Sequence, residues 1–436
     1  MATDYRDTSP AYRGYALTLL VVMFTMANID RSILSILIEP IRHEYSLSDT
    51  QIGLLTGLAF AIPLSIVIVP IGILADRTNR IRLVSLLNVV WSGLTIFTGM
   101  AQSFLMLVLT RAGLGAAEAG AAPIFTSLAT DMFSKETRGK VMGWLYFSSP
   151  LGVTLGFALG GYIASHFHWR TAFFVIGAPS LLLTVLAILT VREPKREVIV
   201  GDHGPAKPSS IAAVVGLLRE RSVLRYLVLA GAFSIGGQAA CSAFMAPFFI
   251  RVHGLSIEQT GTMLALTYGV GGMIGMPLGG IISDAIHKRF PGRELAFFGW
   301  VNVLAAMIAA AAFLVPSWHV AMALIGIYAV SVVFYYAVIF ATFMNETPGH
   351  LRAGAGATML LAMNLFGYGL APQFTGMVSD LSQSLGLADP LRFAQVCSGS
   401  LLMIGGLFLI LAGREILRAR ASSTSQPSSA SALAND

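Results

Sequence analysis

Asp30 and Arg31 stand side by side inside one long apolar run, and Arg111 and Glu118 stand seven residues apart inside another. In such surroundings the chemistry these groups can do is proton exchange. A carboxylate can take up and return a proton, and a guanidinium beside it must then find another anion. Each group costs about 2.5–3.5 kcal/mol at a helix centre on insertion scales, so the four oppose insertion by roughly 10 kcal/mol. That cost favours a working site over mere packing, with a structural ion-pair network as the competing reading. Arg111 and Glu118 lie two helical turns apart and share a face. Neighbours Asp30 and Arg31 point about 100° apart, so each can seek a partner on another helix. Arg31 can face Glu118, while Asp30 faces Arg111 or a cavity. Asp30 has an arginine as its chain neighbour, whereas Glu118 sits among Ala and Gly, which offer no donors. Glu118 is therefore the first candidate for a proton-binding switch, and Asp30 the second. Protonating Glu118 would free Arg31 to bind an anionic head group or to drive a change of conformation.

The elements that position these residues are membrane spans. Hydrophobic residues make up 55% of the 436 and charged residues 11%, against about 25% charge in soluble domains. So few charges cannot cover a soluble surface. A helical span needs about 20 mostly apolar residues. Twelve such runs occur, centred near residues 26, 63, 92, 117, 151, 181, 237, 270, 305, 332, 366 and 402. Arg31 and Arg111 lie within spans, and Arg42, Arg170, Arg251 and Arg392 fall on one side. The other 22 of the 28 basic residues fall on the side of the N-terminus, which places both termini and the central linker in the cytoplasm. The net charge of +6 is thus a topology signal, not a nucleic-acid footprint. At about 1.5 Å per residue, Asp30 lies roughly 27 Å up the first span and Glu118 roughly 21 Å down the fourth, both near the middle.

The chain repeats itself. LSDTQIG at 47–53 and LSIEQTG at 255–261 each lead through a span to a Gly and an Asp, Gly72 and Asp76 in one copy, Gly280 and Asp284 in the other. The expected architecture is all-α, with two six-helix bundles at 1–191 and 223–415, a cytoplasmic linker at 192–222 and a disordered tail at 416–436. Parallel repeats of this kind are typical of transporters that rock two bundles about a midplane site.

Gly72-Ile-Leu-Ala-Asp76-Arg77-Thr-Asn-Arg80 closes the second span. Gly72 permits close helix approach, Asp76 can pair with a neighbouring helix N-terminus or arginine, and the arginines anchor at an anionic leaflet. The segment resembles the G-x-L-a-D-R-x-G-R signature of the major facilitator superfamily, with Asn79 in place of a Gly. The resemblance implies a gate on the cytoplasmic side, with Asp131 as partner of Arg77 or Arg138. Arg111 with Gly115 resembles the same superfamily's R-x-x-x-G motif, with the acid Glu118 added. Gly152, Gly156, Gly160 and Gly161 resemble the glycine motif of antiporter members, although the Pro before its terminal glycines is missing; tight helix packing is the alternative. Asn28-Ile-Asp30-Arg31-Ser32, taken with the fourth span, looks like the spinster-like branch. That resemblance implies proton-driven transport of a lysolipid or of sphingosine-1-phosphate.

Where the first half has Asp30 and Arg31, the second has Gln238 and Ala239, with aromatics and amides nearby: Phe233, Phe244, Tyr335, Tyr336, Phe340, Asn364, Phe366 and Tyr368. Charge on one wall and aromatic surface on the other suits an amphipathic, anionic substrate touching Arg31, Arg111, Tyr336 and Asn364. Cys241 and Cys397 define neither a disulfide framework nor a metal site. There is no G-x-x-x-x-G-K-[ST] phosphate loop, H-E-x-x-H or G-x-S-x-G, so neither a pump nor a hydrolase is expected. The expectation is a non-enzymatic, monomeric carrier in a bacterial inner membrane, using the proton gradient in place of a cofactor. A multidrug or sugar-type carrier of the same fold, or a receptor without flux, are the alternatives.

Overall fold

The computed structural model describes Tyr5, residues 8–195 and residues 211–424, and these are helical almost throughout, with no β-strand among them. Eleven of their helices are long and apolar enough to cross a membrane. In the first half they are α1 (Pro10–Tyr45), α2 (Asp49–Arg77), α3 (Arg80–Gly99), α4 (Phe104–Met132), α5 (Arg138–His166) and α6 (Trp169–Thr190). A short helix, α7 (Ile211–Glu220), precedes α8 (Ser222–His253), α9 (Ile257–Arg289) and α10 (Glu294–Leu314). The shorter apolar helix α11 (Trp318–Ser331) turns into α12 (Tyr335–Glu346), and α13 (Gly354–Ser384) and α14 (Pro390–Thr424) complete the chain. At the tenth expected span, centred near residue 332, the helix breaks at residues 332–334.

The internal repeat is a turn between two spans. Ser48 and Gln51 form a reciprocal capping box at the start of α2, and Ser256 and Gln259 form the same box at the start of α9. Each box satisfies amide groups that the first helical turn leaves open. The residue closing the preceding helix is left-handed in both copies, Ser46 with φ 52° and Gly254 with φ 67°.

Within the first half α1 packs along α5 and α3 along α6; in the second, α14 lies against both α8 and α10. A Cβ at Gly156 would lie 2.7 Å from that of Ser32, and one at Gly152 would strike Asn28. Two glycines of the antiporter-like run are therefore what lets α5 close on the part of α1 that carries Asp30.

The halves meet through α2 with α13 and α5 with α9. Backbone touches backbone there. A Cβ at Gly53 would fall 2.7 Å from the carbonyl oxygen of Pro372, and one at Gly376 would strike that of Asp49. Gly161 and Gly261 oppose each other in the same way across α5 and α9. All these contacts lie in the part of the bundle remote from the chain termini. Toward the terminus-bearing end Gly72, Gly139 and Gly280 have nothing within 4 Å of a Cβ. The halves are closed at one end and parted at the other, and the close approach expected at Gly72 is not made in this conformation.

The segment expected as a linker at 192–222 is partly docked. Val214 and Leu217 of α7 are buried in one apolar cluster with Phe343, Met359 and Ile416, while residues 196–210 lie outside the described residues. Ile416 also extends α14 beyond the boundary at residue 416: the helix runs to Thr424, and residues 425–436 lie outside the described residues.

Candidate functional site

Two ion pairs join α1 to α4 near the middle of the bundle. Arg31 Nη2 lies 2.7 Å from Glu118 Oε1, and Arg111 Nη1 donates to Asp30 Oδ2 at 3.0 Å. These are the partners that the spacing and the depth of the four residues suggest. Asp30 is 0% exposed, Arg111 3% and Glu118 8%, so the Asp30–Arg111 pair is sheltered from water and its attraction little screened, whereas the Arg31 side chain is 35% exposed and opens its pair to the cavity.

Local backbone features set this geometry. α4 breaks just after Glu118, where residues Ala119 and Gly120 interrupt the helix and a new segment starts at Ala121. Gly115 brings the backbone of α4 against Phe60, because any Cβ there would strike the Phe60 carbonyl. Phe60 in turn lies under Arg31, whose guanidinium carbon is 5.0 Å from its ring centre and 5.6 Å from that of Tyr368 on α13. Arg31 is therefore held between an aromatic of each half. Tyr268 and Tyr368 both lie in π-helical segments, Ala265–Gly269 of α9 and Met363–Leu370 of α13. The wider turn shifts the facing of the side chains that follow, a device frequent at functional sites.

The pairs leave hydrogen-bonding capacity unused. Among the described residues Arg111 Nε and Nη2, Arg31 Nε, Asp30 Oδ1 and Glu118 Oε2 are buried without a partner. Native structures rarely leave such groups unmet unless a ligand, an ion or water is meant to meet them.

Arg31 stands where two lobes of a central cavity join. The lobe of about 200 Å³ reaches toward the closed end; Arg111 lines it with the hydroxyl residues Ser32, Ser35, Thr56 and Ser242. The lobe of about 320 Å³ reaches toward the parted end, and Glu118, Phe24, Ile68, Met276, Tyr336 and Asn364 are among its walls. All four expected substrate contacts, Arg31, Arg111, Tyr336 and Asn364, therefore face one space. Tyr336 is 45% exposed to it, whereas its neighbour Tyr335 is fully buried and donates to Gln238 Oε1 at 3.4 Å. Gln238, at the repeat position of Asp30, lines both lobes. Phe244 belongs to the core, Phe233 packs on Phe408, and neither lines the cavity.

The expected gate residues divide. Asp76 and Arg77 are exposed at the terminus-bearing end. Arg80 is 4% exposed, pairs with Asp131 Oδ2 at 2.5 Å and with Glu193 Oε1 at 2.8 Å, and donates to Ser127 Oγ. The pairing of Asp131 thus falls to Arg80, while Arg138 Nε donates to the Thr130 carbonyl. Arg80 takes this role because Glu193, just after α6, folds back to accept from both its side chain and the Ile81 amide.

Sequence reasoning missed the polar seal at the closed end. Arg251 of α8 reaches across to Glu39 Oε2 and Asp49 Oδ1, both at 2.7 Å. Ser379 donates to Asp49 Oδ2 at 2.6 Å, and the Asp380 carboxylate accepts from the Asp49 and Thr50 amides at 3.0 and 2.8 Å. An anionic side chain at the first turn of α2 also suits the helix dipole. The only signal in the sequence is that Glu39, Asp49, Arg251 and Asp380 all lie near the same ends of their spans.

The family model of the Major Facilitator Superfamily matches residues 20–372. An MFS-type efflux pump of Mycolicibacterium smegmatis is 28% identical over 424 residues, 95% of this chain and 96% of that one. Protein spinster of Drosophila melanogaster is 25% identical over 434 residues, 94% of this chain and 71% of that one. The crystal structure of a bacterial homologue of the human lysosomal transporter Spinster, inward-facing and unoccupied, superposes with a TM-score of 0.82 at 28% identity. The match covers 94% of this chain and 99% of that one.

Proposed function

The chain belongs to the Major Facilitator Superfamily, as a transporter of the spinster-like type, and from that premise we propose that it couples protons to the movement of an amphipathic anion. The observation that carries this reading is the unused hydrogen-bonding capacity of Arg111 beside the Arg31–Glu118 pair, on one wall of a cavity with an apolar lobe. A proton taken up by Glu118 neutralises the partner of Arg31. The freed guanidinium and the open N–H groups of Arg111 then offer two cationic donors to one head group. The apolar part of the substrate, of the lysolipid or sphingolipid kind, lies in the larger lobe among Phe24, Ile68, Met276 and Tyr336. Return of the proton restores the pair and expels the anion, so the two cargoes are linked through one carboxylate.

α11 and α12 together make the tenth of twelve crossings, and the surplus of basic residues puts both termini in the cytoplasm of a bacterial cell, in the inner membrane. The parted end then faces the cytoplasm, and the conformation is inward-facing. The seal formed by Arg251, Glu39 and Asp49 is the closed external gate, and each chain works as a monomer with no cofactor beyond the proton gradient. A second reading, a carrier of uncharged or cationic drugs, is favoured by the larger lobe being the apolar one.

Liposomes holding the protein and an internal pH dye test these readings. A lysophosphatidic acid added under a proton gradient should produce proton flux that disappears in Glu118→Gln. Flux of the lipid with no proton movement would refute coupling, and flux of cationic drugs alone would refute the anionic substrate.

A further inference from the structure

Glu118 has two faces. Its Oε1 meets Arg31 on the side of the central cavity, while its Oε2 is buried with no partner among the described residues. Behind it lies a second, small cavity enclosed by α1, α3 and α4. Its free space of about 10 Å³ approaches the minimum for a single water molecule. Its walls are apolar (Met23, Val84 and Phe125 among them) except for Glu118, Trp91 and Asn88. Trp91 is 2% exposed, and its indole Nε1 is a second buried group without a partner. Asn88 commits its amide nitrogen to Ser180 Oγ and Thr184 Oγ1 on α6, which leaves its carbonyl as the group free to accept. Three residues that carry an unpartnered donor, an unpartnered carboxylate oxygen and an uncommitted amide carbonyl therefore line one space of a water's size, and an indole N–H is buried as a rule only with a partner.

We propose that this cavity is a water-binding site, in which one water accepts from Trp91 Nε1 and donates to Glu118 Oε2, making Trp91 a positioning residue for the coupling acid. The proposal rests on the reading of Glu118 as that acid. With Glu118 ionised, the water gives one hydrogen to Oε2 and the other to the Asn88 carbonyl. When a proton arrives on Oε2, the water turns and accepts from the new O–H, while keeping its bonds to Trp91 and Asn88. The site thus directs the proton to the oxygen that faces away from Arg31. Among the described residues Arg31 on Oε1 is the charged group in direct contact, with Asp30 next to Arg31 on α1 and its partner Arg111 two turns from Glu118 on α4.

Infrared difference spectra of the full chain in liposomes, taken between high and low pH, test this. The wild type should show a carboxyl C=O band that vanishes in Glu118→Gln, and with it a water O–H band that shifts in H₂¹⁸O. In Trp91→Phe the carboxyl band should persist but move to higher frequency, and the water band should be lost. A Glu118 band that Trp91→Phe leaves in place overturns the water site alone. A wild-type spectrum with the Glu118 band but no ¹⁸O-sensitive partner does the same without any variant. If Glu118→Gln removes no band, the coupling reading falls, and the proposal falls with it.

Discussion

Arg251→Met should unlock the closed end. Arg251 is the one side chain of the second half that meets both Glu39 and Asp49, at 2.7 Å each, and both carboxylates are 6% exposed. Removing one partner of a buried pair costs about 3–5 kcal/mol, because the remaining charge is left uncompensated. The lower end applies here. Arg251 itself is 18% exposed, and Arg42 stays near both acids, at 3.4 Å from Glu39 and 3.8 Å from Asp49. The cost of about 3 kcal/mol falls only on the conformation in which the halves meet at this end, because parting them returns the acids to water. At about 1.4 kcal/mol per tenfold change in an equilibrium constant, the balance moves about 100-fold toward the opposite conformation. A wild type with about one molecule in a hundred opened there would become an even mixture. Spin labels at Ser165 on α5 and Gln383 on α13, exposed positions near the closed ends of opposite halves, would report it by pulsed electron resonance. The variant should add a second, longer distance of comparable weight. Superimposable distributions in wild type and variant would refute the assignment of this cluster as a gate.

Arg80→Met leaves Asp131 and Glu193 without their shared cation; it should cost about 3–5 kcal/mol and lower the detergent-solubilised melting temperature, and an unchanged melting curve would count against it. Tyr368→Leu removes one of the two rings that hold Arg31, a cation–π contact worth about 0.5–2 kcal/mol. Equilibrium binding of an anionic lysolipid should weaken by about 2–30-fold, and an unaltered Kd would show that Phe60 alone suffices. Gly376→Val sets a side chain against the Asp49 carbonyl, so the Ser165–Gln383 distance should lengthen as in Arg251→Met, and a wild-type distance would contradict the packing described.

Much of the candidate site was legible because burial of charge is so costly that four ionisable residues within spans are expected to belong together. Depth and helical phase were then enough to suggest which arginine meets which acid, and Arg31–Glu118 and Arg111–Asp30 are the pairs formed. The seal at the closed end was not legible. Arg42 and Arg251 fall near span ends, where a charge needs no explanation, and their partnership with Asp49 crosses the halves. The burial of Arg80 depends on Glu193 folding back from the start of the linker, which no local pattern announces. The π-helical turns that carry Tyr268 and Tyr368 leave no mark in residue type, since they are one-residue shifts of otherwise ordinary apolar helices. Gly72 marks a different gap: sequence pointed to close packing, and in this conformation no neighbouring helix comes within 4 Å of where its Cβ would be.

The seam of glycines between the halves also governs how the sequence can drift. At Gly53, Gly261 and Gly376 a neighbouring backbone carbonyl occupies the place of a side chain, and a main chain cannot be exchanged for a smaller residue. Descendants of this protein are thus bound to glycine at those positions for as long as they must close at that end. Gly72, Gly139 and Gly280 carry no such constraint from the conformation seen here. Any selection against alanine there arises in the conformation where the parted ends come together, so a survey of tolerated substitutions would map that unseen state by its effects on fitness.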